Sequence, residues 1–151
     1  HMLYMEKKHK VLLWCIASAV AACSYIFQLD YRNIASEGIS LTSIVLAIYV
    51  AAMMGLIGAK LGEKLAKMPS KNPEYTQLWV LRRYFSNAVI ASVLTIIGSS
   101  LILLLPERRE CEPMSNAYLL ASSLSLAVYA VNLVYMGFIM KFMLNRQIWN
   151  E

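Results

Sequence analysis

Few side chains in this 151-residue sequence could carry acid–base, metal or redox chemistry, and their spacing does not serve it. The histidines are His1 and His9, both at the N-terminus; His1-Met2 reads as an appended start and is set aside. The cysteines are Cys15, Cys23 and Cys111, with no C-x-x-C pair, which argues against a disulfide oxidoreductase. Cys15 and Cys23 lie two helical turns apart in an apolar run and read as small packing residues. Cys111 stands alone in a charged segment and is open to two fates, a disulfide between copies or a free surface thiol. A metal site needs clustered His, Cys or carboxylates; the sequence groups none, so neither metal nor cofactor is expected. Met53, Met54, Met136 and Met140 could offer soft sulfur ligands, but at helical spacing they read as packing. Glu107, Arg108, Arg109, Glu110 and Glu112 mix acid and base in one run. A short solvated loop gives such a run no pocket to shift its pKa values, so no catalytic residue is assigned and the chain reads as non-enzymatic.

The remaining polar chemistry is uncharged. Tyr118, Ser122, Ser125, Tyr129 and Asn132 follow one another at spacings of four and three, a seam along one helix face. Two arrangements would satisfy it: hydroxyls and amide bonded across helices inside a bundle, or the wetted lining of an oligomeric conduit. Asn132 stands out, because an amide deep in a membrane helix seeks a partner. Shorter seams are Cys15, Ser18, Ala22 and Tyr25 in one run, and Asn87, Ala91, Thr95 and Gly98 in another. A stripe of small residues, Ala47, Ala51, Gly55 and Ala59, is joined by the pair Gly58 and Gly62. In lipid, close backbone approach through small residues drives helix association, so this stripe is expected in a tight helix–helix contact, within the chain or between chains.

These seams sit in long runs without charge. Hydrophobic residues make up 59% of the chain and charged residues 15%, with mean hydropathy +0.54. A soluble domain holds roughly 45–50% apolar and about 25% charged residues, so the chain is not of that kind. Charge is missing from Val11 to Leu29, Ser40 to Ala59, Tyr84 to Pro106 and Pro113 to Met140. Each run can cross the roughly 30 Å of hydrocarbon as a helix of about 20 residues. None alternates as a barrel strand would. The expected fold is an all-α integral membrane protein, a single domain over 1–151. Its four transmembrane helices, about 11–29, 40–60, 85–105 and 116–141, form an up-down bundle. The first run is longer than a signal h-region and closes on Tyr25, Phe27 and Gln28, so it is expected to stay.

Charge orients the bundle. Eleven of the fourteen basic residues fall in the N-terminal tail, the middle loop and the C-terminal tail. The other side holds Arg32, Arg108 and Arg109 beside Asp30, Glu37, Glu107, Glu110 and Glu112. Both termini are therefore expected in the cytoplasm, as in a bacterial inner-membrane protein. The outer loops, 30–39 and 106–115, are short enough to make sequential helices antiparallel neighbours. The inner segment, about 61–84, reads as a basic hairpin. Helix two should run on to Met68 and stop at Pro69, with a turn at Asn72-Pro73. Lys60, Lys64, Lys67, Lys71, Arg82 and Arg83 can meet lipid headgroups or a protein partner. No basic–aromatic surface of the kind single strands require is present, so nucleic acid is not an expected partner. The halves do not repeat, which leaves an inverted-repeat transporter unsupported. No charge falls inside a predicted membrane core, which argues against ion-coupled pumping.

The four-helix plan resembles holins, four-helix toxin-immunity proteins and a phage-exclusion membrane protein. The stretch Leu56-Ile57-Gly58-Ala59-Lys60 through Leu65-Ala66-Lys67 is similar to the corresponding helix end in the last of these. The resemblance assigns no residue a role. It implies a protein that self-associates in the membrane and forms or gates a pore, as a depolarising or phage-defence effector. The alternative expectation is an immunity or anchor subunit that binds a partner through its basic loop.

Overall fold

The computed structural model describes residues 7–57, 60–70, 75–105 and 115–143. Within these the chain is helical: α1 is Lys7–Ile26, α2 Arg32–Ile57, α3 Lys60–Lys67, α4 Gln77–Leu104 and α5 Asn116–Met143. Four of the helices, α1, α2, α4 and α5, are long and apolar enough to cross a membrane. Their outward faces carry large apolar side chains, among them Trp14, Ile44, Ile48, Leu94, Leu101 and Leu124, as a lipid-facing surface should.

The helices begin and end where local chemistry dictates. α1 closes in a Schellman arrangement: Gln28 adopts a left-handed conformation (φ 50°), Leu29 N–H bonds to Ser24 O (3.0 Å), and Gln28 N–H to Tyr25 O (3.4 Å). Glycine usually takes that position; here a glutamine bears the steric cost. α2 starts at once. The Asp30 carboxylate accepts the Arg32 N–H (3.0 Å), and the Arg32 guanidinium donates to the carbonyls of Leu105 (2.7 Å) and Leu103 (3.4 Å) at the C-terminal end of α4. The expected outer loop 30–39 is therefore mostly helix. Glu37 and Arg32 interrupt the uncharged run without stopping the helix. α4 likewise starts earlier than its uncharged run. Thr76 caps it by accepting the Trp79 N–H (3.3 Å).

α3 ends before Pro69, as the proline requires. The segment after it turns back on itself: Ser70 N–H bonds to Tyr75 O (2.9 Å) and Gln77 N–H to Met68 O (3.0 Å). Tyr75 stacks on Trp79 (4.3 Å between centroids) at the start of α4. The expected turn at Asn72-Pro73 lies outside the described residues. Leu65 is seated at 1% exposure and anchors α3.

The packing order departs from the sequence order. α4 and α5 pack on each other; α2 packs along α4, and α1 along α5. Among the described residues α1 and α2 share no extended contact, so the expectation that sequential helices are neighbours fails for this pair. The reason is the connector. Residues 27–31 bond to α5 through Ser122 and to α4 through Ser99, and so carry the chain across the ends of that pair. The apolar core is split. A large cluster around Leu13, Tyr49, Leu81, Phe85 and Ile139 fills one half, and Tyr31, Ala35 and Ile102 form a smaller one at the connector end. Between them the interior is polar.

Candidate functional site

The seam on α5 faces that interior. Asn132, 2% exposed, accepts a hydrogen bond from the Ser92 hydroxyl of α4 (2.9 Å) and offers its Nδ2 to Thr42 of α2 (3.4 Å). One amide thus links three helices. The single Ser92 hydroxyl hydrogen is shared between Asn132 and the carbonyl of Ala88 four residues back (2.9 Å), and Thr95 donates likewise to Ala91 (2.8 Å), which leaves no bare hydroxyl hydrogen at these two positions. Ser125 lies against Gly98, where an added Cβ would come within 3.1 Å of its Oγ. Small residues on α4 thus let α5 approach closely.

Nearer the connector the seam continues. Ser122 accepts the Tyr31 N–H (2.9 Å) and donates to Leu29 O (3.1 Å); Tyr118 donates to the Asp30 carboxylate (2.7 Å). Tyr31 shares a hydrogen bond with Ser99 (2.7 Å) and lies against Tyr129. Burial pushes the Tyr31 phenol above its ordinary value near 10, the Ser99 bond opposes the shift, and Tyr129 adds to it. All five seam residues, Tyr118, Ser122, Ser125, Tyr129 and Asn132, therefore meet groups of their own chain.

At the other end of the molecule His9 takes part in a contact the sequence did not suggest. Its Nδ1 lies 2.6 Å from the Tyr84 hydroxyl and its ring stacks on Phe138 (4.4 Å), so α1, α4 and α5 are tied together there. A lone histidine at a chain terminus carries no pattern that would have revealed it.

The other marked residues fall outside these contacts. Ala47, Ala51 and Gly55 are exposed on the outer face of α2, and nothing lies within 4 Å of a Cβ built on Gly55. The contact expected along the stripe is thus not made within the chain over these three positions. Gly62 is buried in α3; Gly58, Ala59, Lys71 and Cys111 lie outside the described residues. Lys60, Lys67 and Arg82 are exposed, whereas Lys64 and Arg83 are half-buried. Cys15 and Cys23, expected in packing, are exposed, as are Ser18, Ala22 and Tyr25. The α1 seam therefore points outward, because α1 packs along one helix, α5, and meets α4 through His9 near its start.

These contacts leave a groove of about 420 Å³ between α1 and α4, floored by α5. Ala17 and Ala21 of α1, Ala91 of α4 and Ala127 of α5 keep it open, and Trp14 stands at its rim. Asn87 lines it at 5% exposure. Its side chain hydrogen-bonds Tyr135, and its Nδ2 is closed off from the groove by burial. Among the described residues no three His, Cys, Asp or Glu side chains gather into a metal-binding group. No family model, curated protein or solved structure matches this chain.

Proposed function

We propose that this is a non-enzymatic, multi-pass protein of the bacterial inner membrane that acts by self-association through the outer face of α2. In this reading the four long helices run up and down, with both termini and the basic α3 segment in the cytoplasm, as the distribution of Lys and Arg favours. One observation carries it: Ala47, Ala51 and Gly55, four residues apart, present an exposed small-residue face that no other described residue of the chain covers. Helices in lipid associate through such faces because backbones can approach and dispersion contacts multiply.

The polar seam fits this role better than that of a resident pore. Its residues are uncharged, and Tyr118, Ser122 and Asn132 are hydrogen-bonded within one chain. Depolarisation by this protein would follow from assembly, with neighbouring copies drawing α2 away from the α4–α5 seam and wetting it. The test is the particle mass in detergent and in lipid nanodiscs. The wild type should be a dimer or larger, and Gly55→Leu should shift it to the monomer by roughly tenfold in association constant. A membrane-potential dye in expressing cells should report the same loss. A wild type that is strictly monomeric overturns the proposal.

A second reading rests on α3, whose Leu65 is seated while Lys60 and Lys67 stay exposed. That face could recruit an acidic partner from the cytoplasm. Co-purification of a second protein that is lost in Lys60→Glu/Lys67→Glu would favour it over self-association.

A further inference from the structure

Three exposed cations on three different helices share one level and face away from the bundle. Tyr84 of α4 lies against Phe138 of α5, Ser92 bonds to Asn132, and Gly98 lies against Ser125. These pairs step along the two helices in opposite directions at equal rates, so Arg82 falls level with Lys141. His9 stacks on Phe138, which brings Lys8 of α1 to within one helical turn of that level. Lys8, Arg82 and Lys141 are all exposed. Each continues the outward face of its own helix at steps of four: Lys8 with Leu12, Arg82 with Ile90 and Leu94, Lys141 with Gly137 and Leu133. They therefore stand on the sides of the bundle, in line with its apolar stripes. The uncharged runs of α1, α4 and α5 begin or end within three residues of them, at Val11, Tyr84 and Met140. Trp79, one turn further out than Arg82 on the same face of α4, is stacked on Tyr75, an aromatic pair of the kind that collects at the headgroup level. Among the described residues the acid at this end is Glu63, on α3.

We propose that Lys8, Arg82 and Lys141 form a cationic belt that recruits anionic glycerophospholipids from the leaflet at the basic end of the helices. Each cation meets a headgroup phosphate from the side, while the acyl chains lie along the apolar stripe of the same helix. A choline or ethanolamine headgroup also carries a phosphate, but with a cation that the belt repels. The belt therefore selects for net negative charge. An acidic protein arriving from the water suits it less well, because it would have to reach around the sides of three helices within the headgroup layer. The inference rests on that part of the proposed function in which the helices span a membrane, and is independent of the α2 face.

Spin-labelled lipids test it, because lipid held at the protein surface loses motion that bulk lipid keeps. The full chain is reconstituted in phosphatidylcholine bilayers. The immobilised fraction is then compared between trace spin-labelled phosphatidylglycerol and trace spin-labelled phosphatidylcholine. Phosphatidylglycerol should associate about fivefold more strongly at low salt, and the preference should shrink in about 1 M salt. Lys8→Gln/Arg82→Gln/Lys141→Gln should reduce it to less than about twofold while helical content is unchanged, since all three side chains are exposed. Lys60→Gln/Lys67→Gln, on the exposed side of α3, should leave most of it. Equal immobilisation of the two lipids overturns the belt. So does a preference that survives the triple variant and falls with the α3 variant. Capture of soluble polyglutamate by the wild type but not by the triple variant, with no lipid preference, would assign the belt to an acidic protein and also overturn the proposal. An immobilised component with neither lipid shows that is wrong at the root only when absent in both: the chain then does not insert, and the spanning reading falls with the belt. Self-association is read separately, from the particle mass.

Discussion

The α4–α5 pair is flanked on two sides by very different arrangements. On one side α2 lies along α4, and the polar groups at its middle and connector end are joined, Thr42 to Asn132, Asn132 to Ser92 and Tyr31 to Ser99, while the Tyr49 hydroxyl further along is buried without a hydrogen bond among the described residues. On the other side α1 packs along α5 and meets α4 through His9, and the groove it leaves between these contacts is lined by apolar side chains and Asn87. The two sides use similar residue types. What differs is how closely a third helix follows the pair along its length. In lipid, where no water can stand in, a polar side chain is satisfied by packing or by a ligand, so polarity and packing must be read together.

The α2 side should be the more fragile when overpacked. Gly38 of α2 lies against Tyr31, and a Cβ there would come within 2.7 Å of the phenol oxygen. Tyr31 is 1% exposed and bonded to Ser99, so it has nowhere to retreat. Gly38→Val should cost about 2–3 kcal/mol, at the upper part of the overpacking range. Unfolding by sodium dodecyl sulfate in bicelles measures it. Little change would mean that the connector slides freely over α4. Next in size is Asn132→Leu, which removes the link among α2, α4 and α5. Membrane hydrogen bonds average about 0.6 kcal/mol and reach about 1.7, and two are lost, so about 1–2 kcal/mol is expected. Ser92 retains its bond to Ala88 O, which limits the loss. The control that sharpens the comparison is Asn87→Leu on the groove side, which should cost less because only the bond to Tyr135 is lost.

How far the sequence foretold this can be argued from the same residues. The four spans were legible because their signal, a long absence of charge, is the physical requirement for crossing hydrocarbon. The seam of α5 was legible as a face, through its spacing of three and four, but its two fates could not be separated without knowing which helices lie opposite. The small stripe of α2 was visible, yet its outward placement depends on α2 meeting α4 with the Thr42 and Tyr49 face instead. The reach of α2 down to Arg32 was hidden because Glu37 and Arg32 looked like loop. Arg32 is held by the last carbonyls of α4, so its charge does not end the helix. The neighbour order was hidden for a similar reason: a short outer loop over 30–39 suggests adjacency, while hydrogen bonds to Ser122 and Ser99 carry residues 27–31 across another helix pair.

The smallest expected effect tests that connector. Tyr118 donates to the Asp30 carboxylate at 2.7 Å, and the same oxygen accepts the Arg32 N–H. Tyr118→Phe keeps the ring and removes only the donor. Both residues are half-buried at the end of the molecule, where water can replace the hydroxyl, so the cost should be about 0.5 kcal/mol, the low end for a hydrogen bond. The α2 N-terminus should keep its cap, because Asp30 then accepts from Arg32 alone. Amide exchange separates the two contributions: Tyr118→Phe should speed exchange in residues 29–31 by a few-fold and leave Thr42 and Asn132 protected. If protection is lost at Thr42 as well, the connector and the central amide link open as one unit. The α2 side would then be a single clasp rather than a row of independent bonds.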